Sequence, residues 1–183
     1  SNLKLYASIK TDSWKTYSYF IDSADCFLFL QRGSKVGMKD ATYWAPMLKG
    51  FDQKCEIGAI IKGTVADAKC SFLEMKTGDT YIKGKGSVKG LPNIEETVFD
   101  VELSELKSSS QDFNQIQFGE MLSDVKLPEL LNSLGEISMT ADFKGLLHNF
   151  EANAKISTAI GVVDLTSKST RENPQDNITY QAK

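Results

Sequence analysis

One histidine and three cysteines leave this 183-residue chain little material for acid–base or nucleophilic catalysis. His148 lies at a predicted turn, no Ser-His-Asp or Cys-His spacing can be built around it, and we expect it to be solvent-exposed. Cys26, Cys55 and Cys70 form no Cys-x-x-Cys pair, which predicts buried apolar thiols. Because the chain also lacks an Asp-x-Asp loop, we expect no metal and no cofactor.

A lysine- and glycine-rich segment is superficially similar to a phosphate-binding loop. It reads Lys83-Gly84-Lys85-Gly86-Ser87-Val88-Lys89-Gly90. The run lacks the Gly-x-x-x-x-Gly-Lys-Ser/Thr spacing, and no helical pattern follows it to supply an N-terminal dipole. Its residues alternate instead, which predicts a strand whose lysines face solvent and leaves open a modest attraction for anionic head groups.

Carboxylates, a sequon and a group of aromatic residues are the remaining candidates for a site. Glu95 and Glu96 are sequence neighbours, so they point to opposite faces of a strand or lie in a solvated loop. Asn177-Ile178-Thr179 matches a glycosylation sequon, a motif that is frequent by chance. A sugar or lipid site, or core packing, would explain the aromatic cluster of Trp14, Tyr17, Tyr19, Phe20, Phe27 and Phe29. No enzyme signature is present, so we expect a protein that is not an enzyme.

Composition excludes several classes of protein. The 21 Lys and Arg against 24 Asp and Glu give a formal net charge of −3, whereas a nucleic-acid binder needs an excess of cations. The longest apolar run, Cys26 to Leu30, is far shorter than the roughly 20 residues of a membrane span. A hydrophobic content of 41% is typical of a globular domain.

Alternation of apolar and polar residues dominates the chain and predicts strands with one buried face. The clearest sets lie at 3–9, 57–65, 97–103, 137–147 and 150–156, and further strands are expected near 15–22, 25–32, 68–76, 80–88, 160–166 and 177–182. Residues 127–135 predict a short helix, with Pro128 at its first position and Gly135 at its end, and 112–116 a weaker one. The chain is therefore expected to be mostly β.

An internal repeat appears when the sequence is shifted by 82 positions. The shift places Pro46 on Pro128, Ala59 on Ala141, Lys62 on Lys144 and Gly63 on Gly145, and one inserted residue brings Gly78 onto Gly161. We predict one continuous domain, with an N-terminal β segment at 1–45, a repeat unit at 46–127 and a second, incomplete unit at 128–183. We therefore expect the chain to contain about two units of a longer array of repeats.

Three stretches carry a resemblance to a known family. They are Lys62-Gly63-Thr64-Val65, residues 90–100 beginning Gly90-Leu91-Pro92-Asn93, and Leu127-Pro128 through Phe143-Lys144-Gly145 to Thr158-Ala159-Ile160-Gly161. Over residues 40–166 the chain resembles the AsmA-like/TamB superfamily, and is most similar to TamB-type translocation and assembly proteins of Bacteroidetes-like Gram-negative bacteria. The family's motifs are glycines, a Leu-Pro and alternation, and they include no catalytic signature.

The resemblance implies a periplasmic segment of a long, inner-membrane-anchored protein. It implies a curved, antiparallel-rich sheet that forms a β-taco, an open groove or a sandwich-like array of two repeats, with one or two short helices. Such segments are implicated in phospholipid transfer between the inner and outer membranes and in assembly of outer-membrane proteins. A BamA-like partner would bind parts of the full-length chain that this sequence lacks.

The apolar side of the alternating strands is the predicted lipid groove. We expect acyl chains to contact Ile57, Ala59, Ile61, Phe99, Val101, Leu103, Met139, Ala141, Phe143, Ala152, Ala154 and Ile156. Exposure of an acyl chain to water costs about 0.8 kcal/mol per CH₂, so a continuous apolar strip would lower the barrier to transfer without chemistry. The alternative is a small β-sandwich or barrel that binds a lipid or glycan in one closed pocket.

Overall fold

The computed structural model describes residues 3–11, 21–37, 54–109, 112 and 135–170, and most of them lie in nine strands. The strands are β1 (Leu5–Lys10), β2 (Asp25–Gly37), β3 (Lys54–Gly63), β4 (Asp67–Thr77), β5 (Thr80–Lys89), β6 (Val98–Ser109), β7 (Glu136–Leu146), β8 (Asn149–Thr158) and β9 (Gly161–Ser169). They form one sheet in the order of the sequence, and every neighbouring pair is antiparallel. The sheet is open, because β1 and β9 do not pair with each other.

The mostly β fold predicted from the alternation is confirmed, while most of the predicted helix lies outside the described residues. The described ranges include a 3₁₀ turn at Ile94–Glu96 and a helical turn at 21–23. The strand predicted at 15–22 is therefore wrong at residues 21 and 22, which lie in this helical turn. The predicted helices at 127–135 and 112–116 and the predicted strand at 177–182 fall wholly or largely outside the described residues. None of the described helical segments is long and apolar enough to cross a membrane.

Four strands end earlier, or begin later, than the alternation predicts, and the first of them is β1, which Leu3 precedes. Val65 and Leu147 lie in the connections after β3 and β7, where both side chains remain exposed. Thr97 precedes β6 and is buried, because its hydroxyl donates to the Asn93 carbonyl at 2.7 Å and closes the 3₁₀ turn. Alternation alone does not show where a strand ends, since a polar–apolar pattern continues through a turn of even length.

The register shows a four-strand repeat that begins one strand earlier than the sequence match. Strands β2 to β5 and β6 to β9 each consist of one strand, a long connection and three further strands. In both units the first strand bulges after a leucine, at Leu30 in β2 and at Leu103 in β6. The bulges lie opposite Gly58 and Thr140, which are 82 residues apart. The proposed unit boundaries at 46 and 128 fall outside the described residues.

Two glycines occupy equivalent positions in the repeat and share one backbone conformation. Gly63 has φ +120° and Gly145 has φ +133°, a region that side-chain-bearing residues rarely adopt. A Cβ atom at Gly63 would collide with the carbonyl oxygen of Asp67, and one at Gly145 with that of Asn149. Because the two obstructing carbonyls are also 82 residues apart, the same close approach of strand ends occurs in both units.

The expected match of Gly78 with Gly161 is wrong. Gly78 is the first residue of the two-residue turn between Thr77 and Thr80, whereas Gly161 is already the first residue of β9. The cause is the bulge between Cys70 and Leu73, which gives β4 one residue more than β8. The turn in the second unit therefore comes one residue sooner, not later, than a constant shift of 82 predicts.

A buried pair of hydroxyl groups joins β5 to β6. The Thr80 and Ser108 oxygens lie 2.6 Å apart, both side chains are buried, and the Ser108 hydroxyl also lies 3.1 Å from the Ser109 carbonyl oxygen. Unpaired buried hydroxyls are costly, whereas removal of both partners is nearly neutral.

We expect Ser108→Ala to lower the free energy of unfolding by about 1.5 kcal/mol, because it leaves the Thr80 hydroxyl without its partner. Thr80→Val should be milder, since Ser108 can still donate to the Ser109 carbonyl. Urea denaturation of the single and double variants measures the coupling. Strictly additive losses of unfolding free energy in the double variant would contradict a coupling between the two hydroxyl groups.

Candidate functional site

One face of the sheet is apolar across all nine strands. Residues opposite one another in an antiparallel ladder share a face, so the register assigns each side chain to a side. All twelve predicted groove residues, on β3, β6, β7 and β8, fall on this side, which we call the apolar face. Leu5, Ala7 and Ile9 extend it onto β1, and Val163 and Leu165 extend it onto β9. No charged strand residue lies on it.

Bulges keep the apolar face continuous. In β6 the apolar positions change from odd to even numbers between Leu103 and Leu106, and an extra residue in the bulge restores the phase. In β4 the reverse change, from even to odd numbers, occurs between Cys70 and Leu73. Without these bulges every later side chain of the strand would turn to the other side of the sheet.

The apolar face is only partly covered. Of the twelve predicted residues only Ala59 is buried, and Val101 is classed as exposed. Near the edges of the sheet Leu5 is 50% exposed and Val163 is 51% exposed. Contiguous apolar surface of this kind is rare on soluble monomers and marks an interaction or ligand surface.

Small residues lie midway along β7 and β8 on the apolar face. Ala141 lies directly opposite Ala154, and both adjoin larger side chains, with Leu103 on one flank and Leu165 on the other. One position farther along the strands, Phe143 stacks on Phe150 with ring centroids 4.9 Å apart. Side chains therefore project less from the sheet at Ala141 and Ala154 than at Phe143 and Phe150.

The opposite side, which we call the polar face, holds every charged strand residue of the sheet. Its charge divides sharply between the two ends of the sheet. Strands β1 to β5, the basic half, hold ten cations (Lys10, Arg32, Lys35, Lys54, Lys62, Lys69, Lys76, Lys83, Lys85 and Lys89) and four anions (Asp25, Glu56, Asp67 and Glu74). Strands β6 to β9, the acidic half, hold four cations (Lys107, Lys144, Lys155 and Lys168) and seven anions (Asp100, Glu102, Glu105, Glu136, Asp142, Glu151 and Asp164).

Ion pairs neutralise the cations of the acidic half. Each of its four lysines has a carboxylate of the same half within 4.0 Å. The hydrogen bond from Lys168 to Glu151, 2.6 Å long, lowers the pKa of that carboxyl group, and Lys107 does the same for Glu105. The Glu151 side chain is exposed and that of Glu105 is partly exposed, so these pairs are surface pairs that contribute little to stability.

The described members of the predicted aromatic cluster lie on the polar face, away from the predicted groove. Phe29 is in register with Tyr6 on one side and Ile60 on the other, and Ile60 faces Phe72. We call Tyr6, Phe29, Ile60 and Phe72, three of which are aromatic, the aromatic row. Phe27 flanks the row, with its ring centroid 5.9 Å from that of Tyr6. The other cluster members, Trp14, Tyr17, Tyr19 and Phe20, fall outside the described residues.

His148 lies in the turn between β7 and β8, as predicted, but the expectation of a solvent-exposed side chain is wrong. The side chain is 17% exposed, and its Nδ1 atom is buried with no hydrogen-bond partner among the described residues. The nearest carboxylate oxygen, on Glu95, is 3.8 Å away. Packing of the turn against the connection before β6 explains this burial, which a local sequence pattern does not show.

The cysteines carry no reactive constellation. All three are free, but the prediction of buried thiols is right for Cys55 only, because Cys26 and Cys70 are partly exposed. Desolvation raises the pKa of all three thiols. Thiols with a raised pKa are weak nucleophiles at neutral pH. Within the described ranges no three His, Cys, Asp or Glu side chains come together as a metal site would require.

An open depression of about 490 Å³ crosses β6 to β9. It is lined by Glu102, Asp142, Asn153, Lys155 and Asp164, among others. Asp142 is already hydrogen-bonded to Asn153 and Lys155 is ion-paired with Asp164, so these groups satisfy one another. The depression is a trough between two rows of surface side chains.

Neither a family model, nor a curated protein, nor a solved structure matches the chain. The resemblance to the AsmA-like/TamB superfamily therefore stays a prediction.

Proposed function

We propose that this sheet is a periplasmic segment of a TamB/AsmA-like envelope-biogenesis protein. Its apolar face would accommodate phospholipid acyl chains on their way between the inner and outer membranes, or support the assembly of outer-membrane proteins. The observation that carries the proposal is an uncharged, partly exposed face that continues across all nine strands. A BamA-like protein would bind parts of the longer chain.

The dimensions of the face suit an acyl chain. Neighbouring strands lie about 4.8 Å apart, so nine strands span roughly 38 Å across the sheet. That distance exceeds the hydrocarbon thickness of a bilayer, about 30 Å. Since each CH₂ removed from water contributes about 0.8 kcal/mol, even partial coverage of a chain on this face would hold a lipid.

The apolar face is better suited to binding along a continuous open surface than to binding in one closed pocket. Conduction needs no converging polar groups, and the exposed side chains at both edges, Leu5 and Val163, leave the face open at its ends. A small-ligand module would instead bring a few polar groups together in an enclosed site. The described part of the apolar face contains only scattered hydroxyls among its apolar side chains.

Photo-crosslinking tests the proposal. A photoreactive residue replaces Ile61 or Phe143, which are equivalent in the two repeat units and lie on the apolar face, and the protein is purified from bacterial envelopes. We expect phospholipid adducts at both positions, detected by mass spectrometry. The matched control is Asp142, next to Phe143 on β7 but on the polar face, where we expect none. Equal labelling at Asp142, or no lipid at either apolar position, would refute the proposal.

A further inference from the structure

The basic half of the polar face combines positive charge with exposed aromatic side chains. Its ten cations outnumber its four anions, although the whole chain carries a net charge of −3. Among the described residues, only Arg32, Lys35 and Lys85 of the ten have a carboxylate oxygen within 4.0 Å. The described strands of the basic half therefore carry a net positive charge, although four of its remaining lysines lie opposite an acidic residue in the register.

Two lysines near the adjoining ends of β3 and β4 face each other on this surface. Lys62 of β3 lies directly opposite Lys69 of β4, and neither has a carboxylate partner within the described ranges. Like charges at directly opposed positions of a sheet are destabilising. The Nζ atom of Lys62 lies 5.3 Å from the centre of the Phe27 ring, which offsets part of the repulsion. A bound anion would relieve the remainder.

The aromatic row lies beside these lysines and is accessible to solvent. Tyr6 is 59% exposed and Phe29 is 38% exposed. The Arg32 guanidinium lies 4.5 Å from the centre of the Phe72 ring, so the row ends at another cation. Aromatic rings beside cations are typical of protein surfaces that lie at the boundary between lipid head groups and acyl chains.

We propose that the basic half docks on the surface of a bilayer containing anionic phospholipids. Its lysines would meet the phosphate-bearing head groups, while Tyr6 and Phe29 would enter the interfacial layer. A bilayer fits better than a free anion, because the cations are spread over five strands and form no enclosed pocket. The acidic half would be repelled by the same surface, so the sheet would dock by one end.

Docking and the proposed lipid groove use opposite sides of the sheet. The inference therefore does not depend on the apolar face carrying lipid, and the two proposals can fail separately. A sheet that docks by the basic half would keep its apolar face free, with its end nearest β1 at the membrane.

Cosedimentation of the whole chain with vesicles tests this inference. The probes are vesicles of phosphatidylcholine alone and of phosphatidylcholine mixed with phosphatidylglycerol. We expect binding to the mixed vesicles that weakens as salt is added, and little binding to phosphatidylcholine alone. Because each basic residue near an anionic surface contributes about a fivefold factor, Lys62→Glu/Lys69→Glu should reduce binding at least about tenfold.

A matched control distinguishes a local surface from net charge. Lys155→Glu/Lys168→Glu changes the net charge equally but lies on the acidic half, and should weaken binding far less. Equal losses in the two double variants, or equal binding to both vesicle types, would overturn the inference. The inference would also be overturned if the protein failed to bind vesicles but formed a salt-sensitive dimer, or bound heparin, in a way that depends on Lys62 and Lys69. Crosslinking at Phe143 should stay unchanged in all these variants.

Discussion

Gly145→Ala is expected to lower the free energy of unfolding by about 3 kcal/mol. At φ +133° an alanine is strained, and its Cβ would collide with the Asn149 carbonyl oxygen and approach the Phe150 Cα within 2.8 Å. Both obstacles are backbone atoms of the next strand, so no rotamer change relieves the contact. The register of β7 with β8 must shift instead. Gly63→Ala should behave alike, because Gly63 meets the Asp67 carbonyl in the same way.

Gly33→Ala separates backbone strain from collision. Gly33 also has a positive φ, +76°, but a Cβ there would meet nothing within 4 Å. We expect a loss of about 1 kcal/mol from strain alone. Urea denaturation of the three variants, analysed at a common m-value, gives the comparison. Equal losses at Gly33 and Gly145 would show that the close approach of the strand ends adds nothing.

Ala141→Arg is expected to reduce the phospholipid that copurifies with the protein at least about tenfold, since a guanidinium in hydrocarbon costs about 2.5 kcal/mol or more. Ala141 lies midway along β7 on the apolar face, between Leu103 and Ala154. The charge would interrupt the proposed lipid-binding surface at these alanines. Lipid extraction and mass spectrometry measure the loss.

The control for Ala141→Arg is Thr140→Arg on the same strand. Thr140 is exposed and its side chain lies on the polar face, so the same charge is added without touching the apolar face. Circular dichroism and urea denaturation confirm that both variants fold. If Thr140→Arg removes as much lipid as Ala141→Arg, or if neither removes any, the apolar face is not the lipid-binding surface.

Much of the sheet could be predicted where each strand shows simple alternation. The faces of β5, β7 and β8 follow from every second residue, and the lysines at 83, 85 and 89 lie on the polar face as expected. The strand at 25–32 was harder, because Phe27, Leu28, Phe29 and Leu30 are all apolar. Pairing of Leu28 with Ile61 and of Phe29 with Ile60 decides which rings leave the apolar face.

Two further features of the sheet have a signal in the sequence. The change of phase at Leu103 and Leu106 marks a bulge, since both leucines belong to one face only if an extra residue intervenes. Counting charges strand by strand, instead of over the whole chain, reveals the basic half that the net charge of −3 conceals. The burial of His148 has no comparable signal, because it depends on Glu95 and its neighbours across the sheet.

By itself the sequence determined the β character, the apolar side of most strands and the equivalence of Gly63 with Gly145. These features are local, because successive side chains of a strand alternate and because a glycine's conformational freedom belongs to one residue. Only the tertiary structure decided which strands are neighbours, that one face stays free of charge across all of them, and that Lys62 meets Lys69 beside an aromatic row. Register depends on hydrogen bonds between residues far apart in the chain, and a slip of one residue would exchange the two faces.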